Sequence, residues 1–572
     1  MIAKMTQYSF ILLHGDKDAF LADLQGLGLM DVTRASKPVD NHSQTLLDSI
    51  QTLRNDIDCT EKGMDDDLLG LLTVRDTIVH DLREATPWGE YDREKLSAFG
   101  GLHFYRVAAK KYNPAWEEQY AIQVVSEDDG LCHFVIVGDN AGFPLKELTY
   151  PNHTAAELQV LLQEQDVRIE NHRKILEARK DEIPAMKQRV RKMEAELDRY
   201  LAGTAAVPAA EDTIDTLVGF APTECDEAVS AYLDKAGVFY LKDEATLEEN
   251  PPIQFKNNKF VKMFEVLTDM YGRPEYNGFD PTPFIAVFFL LLFALGMGDA
   301  GYGLVLIVAG LLLRKVESFK GLAPLVVTLG AATVVVGFFL HTFFSIDIAQ
   351  WPCFAGIRGI FLPDEIAGYA GGMVLSLIVG VVHLCLAMVV KAINAVRVHG
   401  FAASLGTLGW TLLIVGGVIV GGISLTGVMS SEVTKWVVIA LGVISAIGIF
   451  PLNNPKRNKL ANVGLGFWDT YQMVTGLLGD VLSYLRLYAL GLAGSMLGMA
   501  FNDMGKMVLG DGSNPILWVF FILLVLIGHT LNIAMCALGA FVHPLRLNFL
   551  EFFKNSGYEA GGRKFNPLTN NE

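Results

Sequence analysis

The sequence predicts an α+β half, built as two α/β lobes joined by an antiparallel coiled-coil rod, followed by an all-α membrane domain of about eight helices whose last two are long and oblique. Three observations carry that reading. Charge is divided unevenly, with 50 acidic and 30 basic residues in positions 1–280 against 13 and 16 in positions 281–572. Apolar stretches of bilayer length occur only in the second part. Residues 154–201 hold the clearest heptad spacing of the chain. At 51% hydrophobic and 19% charged over 572 residues, the protein is too apolar for one soluble domain and too charged for a pure membrane bundle. The boundary falls near residue 280, giving a soluble region 1–280 and a membrane region 281–572.

In chain order, Tyr8–Leu13 reads as a strand, 17–27 as a helix and 30–32 as a second strand, the first α/β lobe. Leu46, Ile50, Leu53, Ile57, Met64, Leu68, Leu71, Ile78 and Leu82 recur at helical spacing, so 43–85 is one long helix or two. Strands follow at 102–107, 120–125 and 132–137, forming a small head. The second helical run, 154–201, steps by four and three through Leu162, Gln165, Ile169, His172, Leu176, Arg179, Ile183, Met186, Val190, Met193, Leu197 and Tyr200. Its seam has three polar positions and is interrupted by Pro184, and its expected partner is the run at 43–85. Residues 214–241 form a strand–helix–strand unit beside the first lobe.

The composition excludes several classes. A net charge of −17 with no basic cluster argues against nucleic-acid binding. Six scattered cysteines without a CxxC pair or a histidine at ligand spacing indicate neither a metal site nor a disulfide framework, and no cofactor motif is present; a Walker A loop in particular is missing. The apolar run Phe10–Leu13 is too short for a secretory signal, so the soluble half is expected in the cytoplasm.

Apolar segments at 284–298, 300–313, 322–344, 367–390, 401–424, 433–451, 464–502 and 514–553 make eight spans, the first two a short pair hinged at Gly298-Asp299. Arg314, Lys315, Lys320, Lys391, Arg397, Lys456, Arg457, Lys459, Lys554, Arg563 and Lys564 fall on one side, and only Arg358, Lys435 and Lys506 on the other. The positive-inside rule puts the first set, and both termini, in the cytoplasm. As a single helix 464–502 would run roughly 57 Å against a hydrocarbon core of about 30 Å, so it must tilt steeply, break or protrude, and 514–553 likewise.

Two basic residues of this half lie outside the loops, Arg486 in GDVLSYLRLYALGLAG and Arg546 in GAFVHPLRLNFLEFF. A guanidinium in hydrocarbon costs about 3 kcal/mol on insertion scales, so it faces a partner, a wet cavity or, near a helix end, the interface. Arg486 shares its face with Gly479, Ser483, Leu490, Ala493 and Ala500, mostly small residues that admit a second helix closely. Asn532, Gly539 and His543 fall near the face of Arg546, a polar stripe suited to water or protons, although each could equally be an interhelical hydrogen bond. Asp480 lies one and a half turns before Arg486, placed for an aqueous mouth or for pairing with a neighbouring helix. His341 and His383 read as lone intramembrane histidines engaged in packing or interhelical bonding rather than in transport. With no obvious carboxylate partner for Arg486 in its own chain, a carboxylate from another chain is inferred. A guanidinium holds such a group ionised without releasing a proton itself, which makes a barrier between two half-paths.

At these residues the sequence resembles the membrane stator subunit, subunit I or a, of V/A-type rotary ATPases, of the prokaryotic type. The resemblance runs through NKFVKMFEVLTDMYGRPEYNGFDPTPF, FALGMGDAGYGL, VGVVHL, GFWDTYQMVTGLLGDVLSYLRLYALGLAG and GHTLNIAMCALGAFVHPLRLNFLEFF. It implies a non-catalytic subunit that translocates H⁺ or Na⁺ against a rotor ring of small membrane subunits. Arg486 would face the ring carboxylate, and Arg546, with His543 three residues before it, would lie on the ion path; the reading of the residues above adds Asp480, Ser483 and Asn532 to that path. It further implies partners in the peripheral stalks and the central-stalk collar. Eukaryotic members carry a glutamate and a histidine where this chain has Cys536 and Gly494. A self-contained channel or transporter, and a coiled-coil receptor, are the competing classes.

Overall fold

The computed structural model describes all residues except 36, 38–39, 90–100, 129, 149–152, 210–212, 317–318, 367, 426, 452–458, 511–513 and 571–572. Lys456 and Arg457, used above for orientation, lie outside the described residues. The chain packs as two compact units, one of Met1–Ile11, Leu29–Asp31 and Val218–Pro567, the other of Leu12–Gly28, Val32–Leu217 and Leu568–Glu572.

Strand β1 is Met5–Leu13, followed by helix α1, Lys17–Leu27, which ends where Gly28 turns left-handed at φ 66°. In the second unit, the run at 43–85 resolves into two helices, α2 (Asn41–Lys62) and α3 (Asp66–Ala85). Gly63 at φ 64° stops the first, because only glycine enters that conformation without steric cost. Asp65 then caps the second by accepting from the Leu68 N–H at 2.8 Å. The later run likewise divides, into α4 (Ala155–Arg179) and α5 (Ile183–Thr204), joined by a 3-10 turn at Lys180–Glu182. Pro184 sits in the first turn of α5, where a missing N–H costs nothing.

The two pairs run antiparallel: Arg54 bonds Glu194, Lys187 reaches Glu61 at 2.6 Å, His172 meets Asp65 at 2.9 Å, and Arg75 meets Asp166 at 2.7 Å. Exposed pairs of this kind contribute about 1 kcal/mol or less each. Burial of Ile50, Ile57 and Val190, and of Leu68, Ile169 and Leu176, therefore supplies most of the attraction. Two polar seam positions are satisfied across the arm: Gln165 donates to the Leu71 carbonyl at 2.9 Å, and His172 takes Asp65. The head between the pairs is a sheet of β2–β4 in the order β2-β4-β3, where β2 is Leu102–Ala108, β3 Ile122–Asp128 and β4 Leu131–Val137, closed over Tyr105, Phe134 and Ile136.

In the first unit β1 pairs antiparallel with β5 (Phe239–Glu244), Thr6 opposite Glu244 through Ile11 opposite Phe239, and α6 (Asp226–Ala236) precedes that strand. Among the described residues the apolar helices that follow are α7 Thr282–Met297, α8 Ala300–Leu313, α9 Ala323–Phe339, α10 Gly371–His399, α11 Leu405–Leu425, α12 Ser431–Ile449, α13 Lys459–Leu509 and α14 Pro515–Arg546. Among the described residues, five helical stretches (371–399, 402–425, 431–449, 463–509 and 515–556) are long and apolar enough to cross a membrane, and α7, α8 and α9 are shorter. At about 1.5 Å per residue α13 would extend roughly 76 Å.

The hinge expected at Gly298-Asp299 is a true break. Gly298 adopts φ 60°, and Asp299 caps α8 through the Gly301 and Tyr302 N–H groups. One expected span, 322–344, ends early, whereas the last, 514–553, runs on helically to Ser556 with a change of geometry inside it. Helix α9 stops at Phe339, and His341, read as intramembrane, lies in the following turn at φ 50° with Nδ1 3.0 Å from Asp347. Helix α14 gives way after Arg546 to a π-helical turn, Leu547–Phe552, and then to Phe553–Ser556. The apolar core gathers Phe264, Phe289, Phe552, Phe553 and Tyr558, with a second cluster around Tyr484, Leu292 and Leu487.

Candidate ion-path site

Helices α13 and α14 approach closely because glycines face side chains across the seam. A Cβ on Gly494 would stand 2.4 Å from Cys536 Sγ, one on Gly528 2.4 Å from the Phe501 ring, and one on Gly505 2.9 Å from Val525. The two positions that depart from the eukaryotic pattern, 494 and 536, thus touch each other. The opposite face of α13 stays open: Leu478, Gly479, Leu482, Ala489, Ala493, Met496 and Ala500 are exposed. Arg486 lies half-buried on that side and has no hydrogen bond or ion pair with any described residue.

Around Arg486 the sequence-predicted residues separate into two groups. Asp480 takes Lys554 Nζ at 3.3 Å and accepts from Asn555 Nδ2 at 2.8 Å, which realises the pairing alternative. Ser483, one turn further, donates to the Gly479 carbonyl at 3.1 Å and lies within reach of Glu551. His543 sits close to the charges of both Arg486 and Arg546, and its Nδ1 is buried without a partner. Arg546 itself is exposed. Glu551, which the sequence reading passed over, is only 4% exposed, and its Oε2 has no partner. The signal available was its position five residues after Arg546, but the π-turn that carries it inward has no sequence signature of its own.

Asn532 belongs elsewhere. Fully buried, it donates to Tyr302 Oη at 2.7 Å and to the Gly494 carbonyl at 2.8 Å. Eleven residues from His543, it lies roughly 16 Å along the helix from that group. Tyr302 Oη meets His529 Nδ1 at 2.8 Å, and His529 Nε2 meets Asn502 Oδ1 at 3.0 Å. Below them Asp299 accepts from four backbone N–H groups, those of Gly301, Tyr302, Phe344 and Ser345, at 2.8, 3.2, 2.9 and 2.5 Å. Tyr302, His529 and Asn502 are the members of this network that sequence reasoning missed, and Asp299 was read there only as part of the hinge. His383 is a packing histidine, stacked 4.1 Å from Phe288 and 4.8 Å from Phe552 with Nδ1 2.9 Å from Tyr484 Oη.

A profile of the V-type ATPase 116kDa subunit family matches residues 146–320 and 469–570, the second block containing Arg486 and Arg546. Among curated proteins, the chain is 34% identical over 352 residues to an A-type ATP synthase subunit I of Methanocaldococcus jannaschii, an alignment covering 57% of this chain and 50% of that protein. It is 26% identical to V-type ATP synthase subunit I 1 of Treponema pallidum over 86% of this chain and 83% of that one. With V-type ATP synthase subunit I of Borreliella burgdorferi it shares 23% identity over 99% of both. The chain spans about half the length of the archaeal relatives it matches, represented by the 50% coverage of the M. jannaschii protein.

Proposed function

From the match of the V-type ATPase 116kDa subunit family to residues 146–320 and 469–570, we propose that the chain is the membrane stator subunit of a V/A-type rotary ATPase, a non-catalytic subunit that carries H⁺ or Na⁺ past a rotor ring. The observation that carries this reading is Arg486: a guanidinium on the open, small-residue face of α13, unpartnered among the described residues. Such a charge calls for a carboxylate from a second chain. A ring carboxylate passing it is held ionised, because opposite charge favours the charged form, and must release its cation before crossing. The guanidinium keeps its own proton, so it separates two half-paths without short-circuiting them.

Polar groups lie on both sides of that barrier. Asp480, Ser483, His543 and Arg546 form one half-path, on the side of Lys554. Asn532, with Tyr302 and His529, lies toward the other. The bias of basic residues assigns the first side, and both termini, to the cytoplasm. Residues 1–280 then form a cytoplasmic region whose helical pairs, a coiled-coil rod in this reading, anchor the peripheral stalks and meet the central-stalk collar.

The test is Arg486→Ala in the assembled complex. ATP-driven ion uptake into vesicles should vanish while the subunits still co-purify, and Arg486→Lys should restore little, since an ammonium lacks the planar fork and permanence of the guanidinium. Normal uptake by Arg486→Ala overturns the proposal. So does purification of the chain alone as an active transporter.

A further inference from the structure

Helices α7, α8, α9 and α14 and the short helix Glu265–Tyr271 leave a cavity of about 350 Å³ between them. Every side chain that lines it is apolar. It runs from Val266 and Met270, which are exposed, to Phe293 and Leu329, which are buried, with Leu306 and Phe541 also in its walls. A water molecule held there would need about two to four polar partners, and the walls offer none. Left empty, the space forfeits dispersion contacts all round its lining. Among helices that span a bilayer the apolar filler within reach is an acyl chain, and the volume falls in the range of pockets that enclose small ligands.

The mouth of the cavity is basic. Helix α8 ends at Leu313 and α9 begins at Ala323, and the connection carries Arg314, Lys315 and Lys320 up to Leu322, itself a lining residue. The helix Lys259–Lys262 adds Lys259 and Lys262, and the next residue, Met263, reaches the second turn of α9, its Sδ 4.0 Å from Thr328 Oγ1. All five cations are exposed and have no ion pair with any described residue. The acids of the same segments are fewer or engaged: Glu265 accepts from Asn257 Nδ2 at 3.1 Å, Asp269 holds Arg273 at 2.8 Å and Lys564 at 3.8 Å, and Glu317 is the single acid of the α8–α9 connection. Phe260 and Tyr271, exposed beside the lysines, are side chains of the kind that anchor a segment at headgroup level. Basic clusters next to bilayer-spanning helices recognise anionic headgroups.

We propose that this cavity is a binding site for one anionic phospholipid, an acyl chain entering between α7, α8, α9 and α14 and the headgroup held by Arg314, Lys315, Lys320 and the lysines of Lys259–Lys262. The site rests on the membrane placement of these helices and not on the role of Arg486.

The full chain is reconstituted in phosphatidylcholine vesicles containing a trace of phosphatidylglycerol or of phosphatidylcholine with the same photoactivatable acyl chain, irradiated, and mapped by peptide mass spectrometry. Peptides covering 264–271, 322–329 and 537–541 should label roughly fivefold or more strongly from phosphatidylglycerol, while the exposed face of α12 at Val443, Ile444 and Ile447 labels alike from both. Ala537→Phe, which fills the cavity, and Val266→Trp, at its rim, should each abolish the excess. Arg314→Gln, Lys315→Gln and Lys320→Gln together should lower it severalfold and leave the label from phosphatidylcholine unchanged. Equal labelling by the two probes overturns the proposal, and so does an excess that neither Ala537→Phe nor Val266→Trp moves. If Ala537→Phe fails to fold, an unmoved pattern in Val266→Trp and in the exposed triple variant overturns it. Absence of label on α12 refutes the membrane placement instead.

Discussion

Asp299→Ala is the sharpest probe of how the proposed path is supported. The carboxylate joins the first turn of α8 to the Phe344–Ser345 turn, Oδ1 accepting from Gly301, Tyr302 and Phe344 and Oδ2 from Ser345 at 2.5 Å. The Thr342 hydroxyl bonds the Gly298 carbonyl beside it, so the break between α7 and α8 is held from both sides. Alanine leaves four N–H groups without their acceptor in a site only 3% exposed. Each orphaned buried group costs about 1–3 kcal/mol. Relaxation and the helix-terminal position of two donors reduce the sum, and a loss of about 3–5 kcal/mol is expected, the range for breaking a buried charged pairing. Asparagine keeps an oxygen in the Oδ1 position and loses only the Ser345 bond, at about 1–2 kcal/mol. Unfolding of the full chain by SDS titration in mixed micelles measures both. An alanine variant within about 1 kcal/mol of wild type, or equal losses for the two substitutions, would refute the reasoning.

Gly337→Ala should destabilise by about 1–3 kcal/mol or more, because its Cβ would lie 2.2 Å from the Ala300 nitrogen and backbone cannot step aside; Gly421→Ala on α11, with nothing within 4 Å, should be neutral or gain up to about 1 kcal/mol by the same titration. Tyr484→Phe should cost about 1 kcal/mol by removing the partner of His383 Nδ1, with ATP-driven transport unchanged, whereas loss of transport would move that pair onto the ion path. The Tyr200 hydroxyl, then the Ser43 N–H, hold the Asp40 carboxylate down at about 2. A depressed folded value stabilises fully above the unfolded value of about 3.9 and loses that contribution as pH falls toward the folded one. The protection of amides in the first turn of α2, taken relative to their intrinsic exchange rate at each pH, should therefore fall between about pH 4 and 2, and Asp40→Asn should flatten that dependence.

How much of this the sequence discloses depends on whether the deciding force is local. Helix α1 appears with the predicted bounds because its stop is a left-handed glycine, and the strands of the head appear because alternation is a local pattern. The break of the first long run at Gly63 was left open by periodicity, which continues across it; backbone conformation decides there. Span 322–344 overshoots because Phe343 and Phe344 are as apolar as a helix interior yet form a tight turn held by Asp299. At the site, Arg486 stands out by the cost of its charge. The stripe from Asn532 to Arg546 looks continuous on a helical wheel, but Asn532 is claimed by Tyr302, a residue 230 positions away that no periodicity reveals. Glu551 was hidden by its closeness to a helix end, where a carboxylate ordinarily meets water.

The helical arm of the second unit changes character at one level. Ion pairs bracket the place, Lys187 with Glu61 on one side and His172 with Asp65 on the other. Between them, one strand of the arm is interrupted at Gly63 and the other tightens through Lys180–Glu182. Bending stiffness in such a beam comes from uninterrupted ladders of axial hydrogen bonds, and here neither ladder runs straight through. The arm is therefore softest against flexure at that level while each segment beyond it stays stiff. A load applied in steps to its far end would be taken up as elastic deflection at this waist, and returned, before the packed ends had to yield.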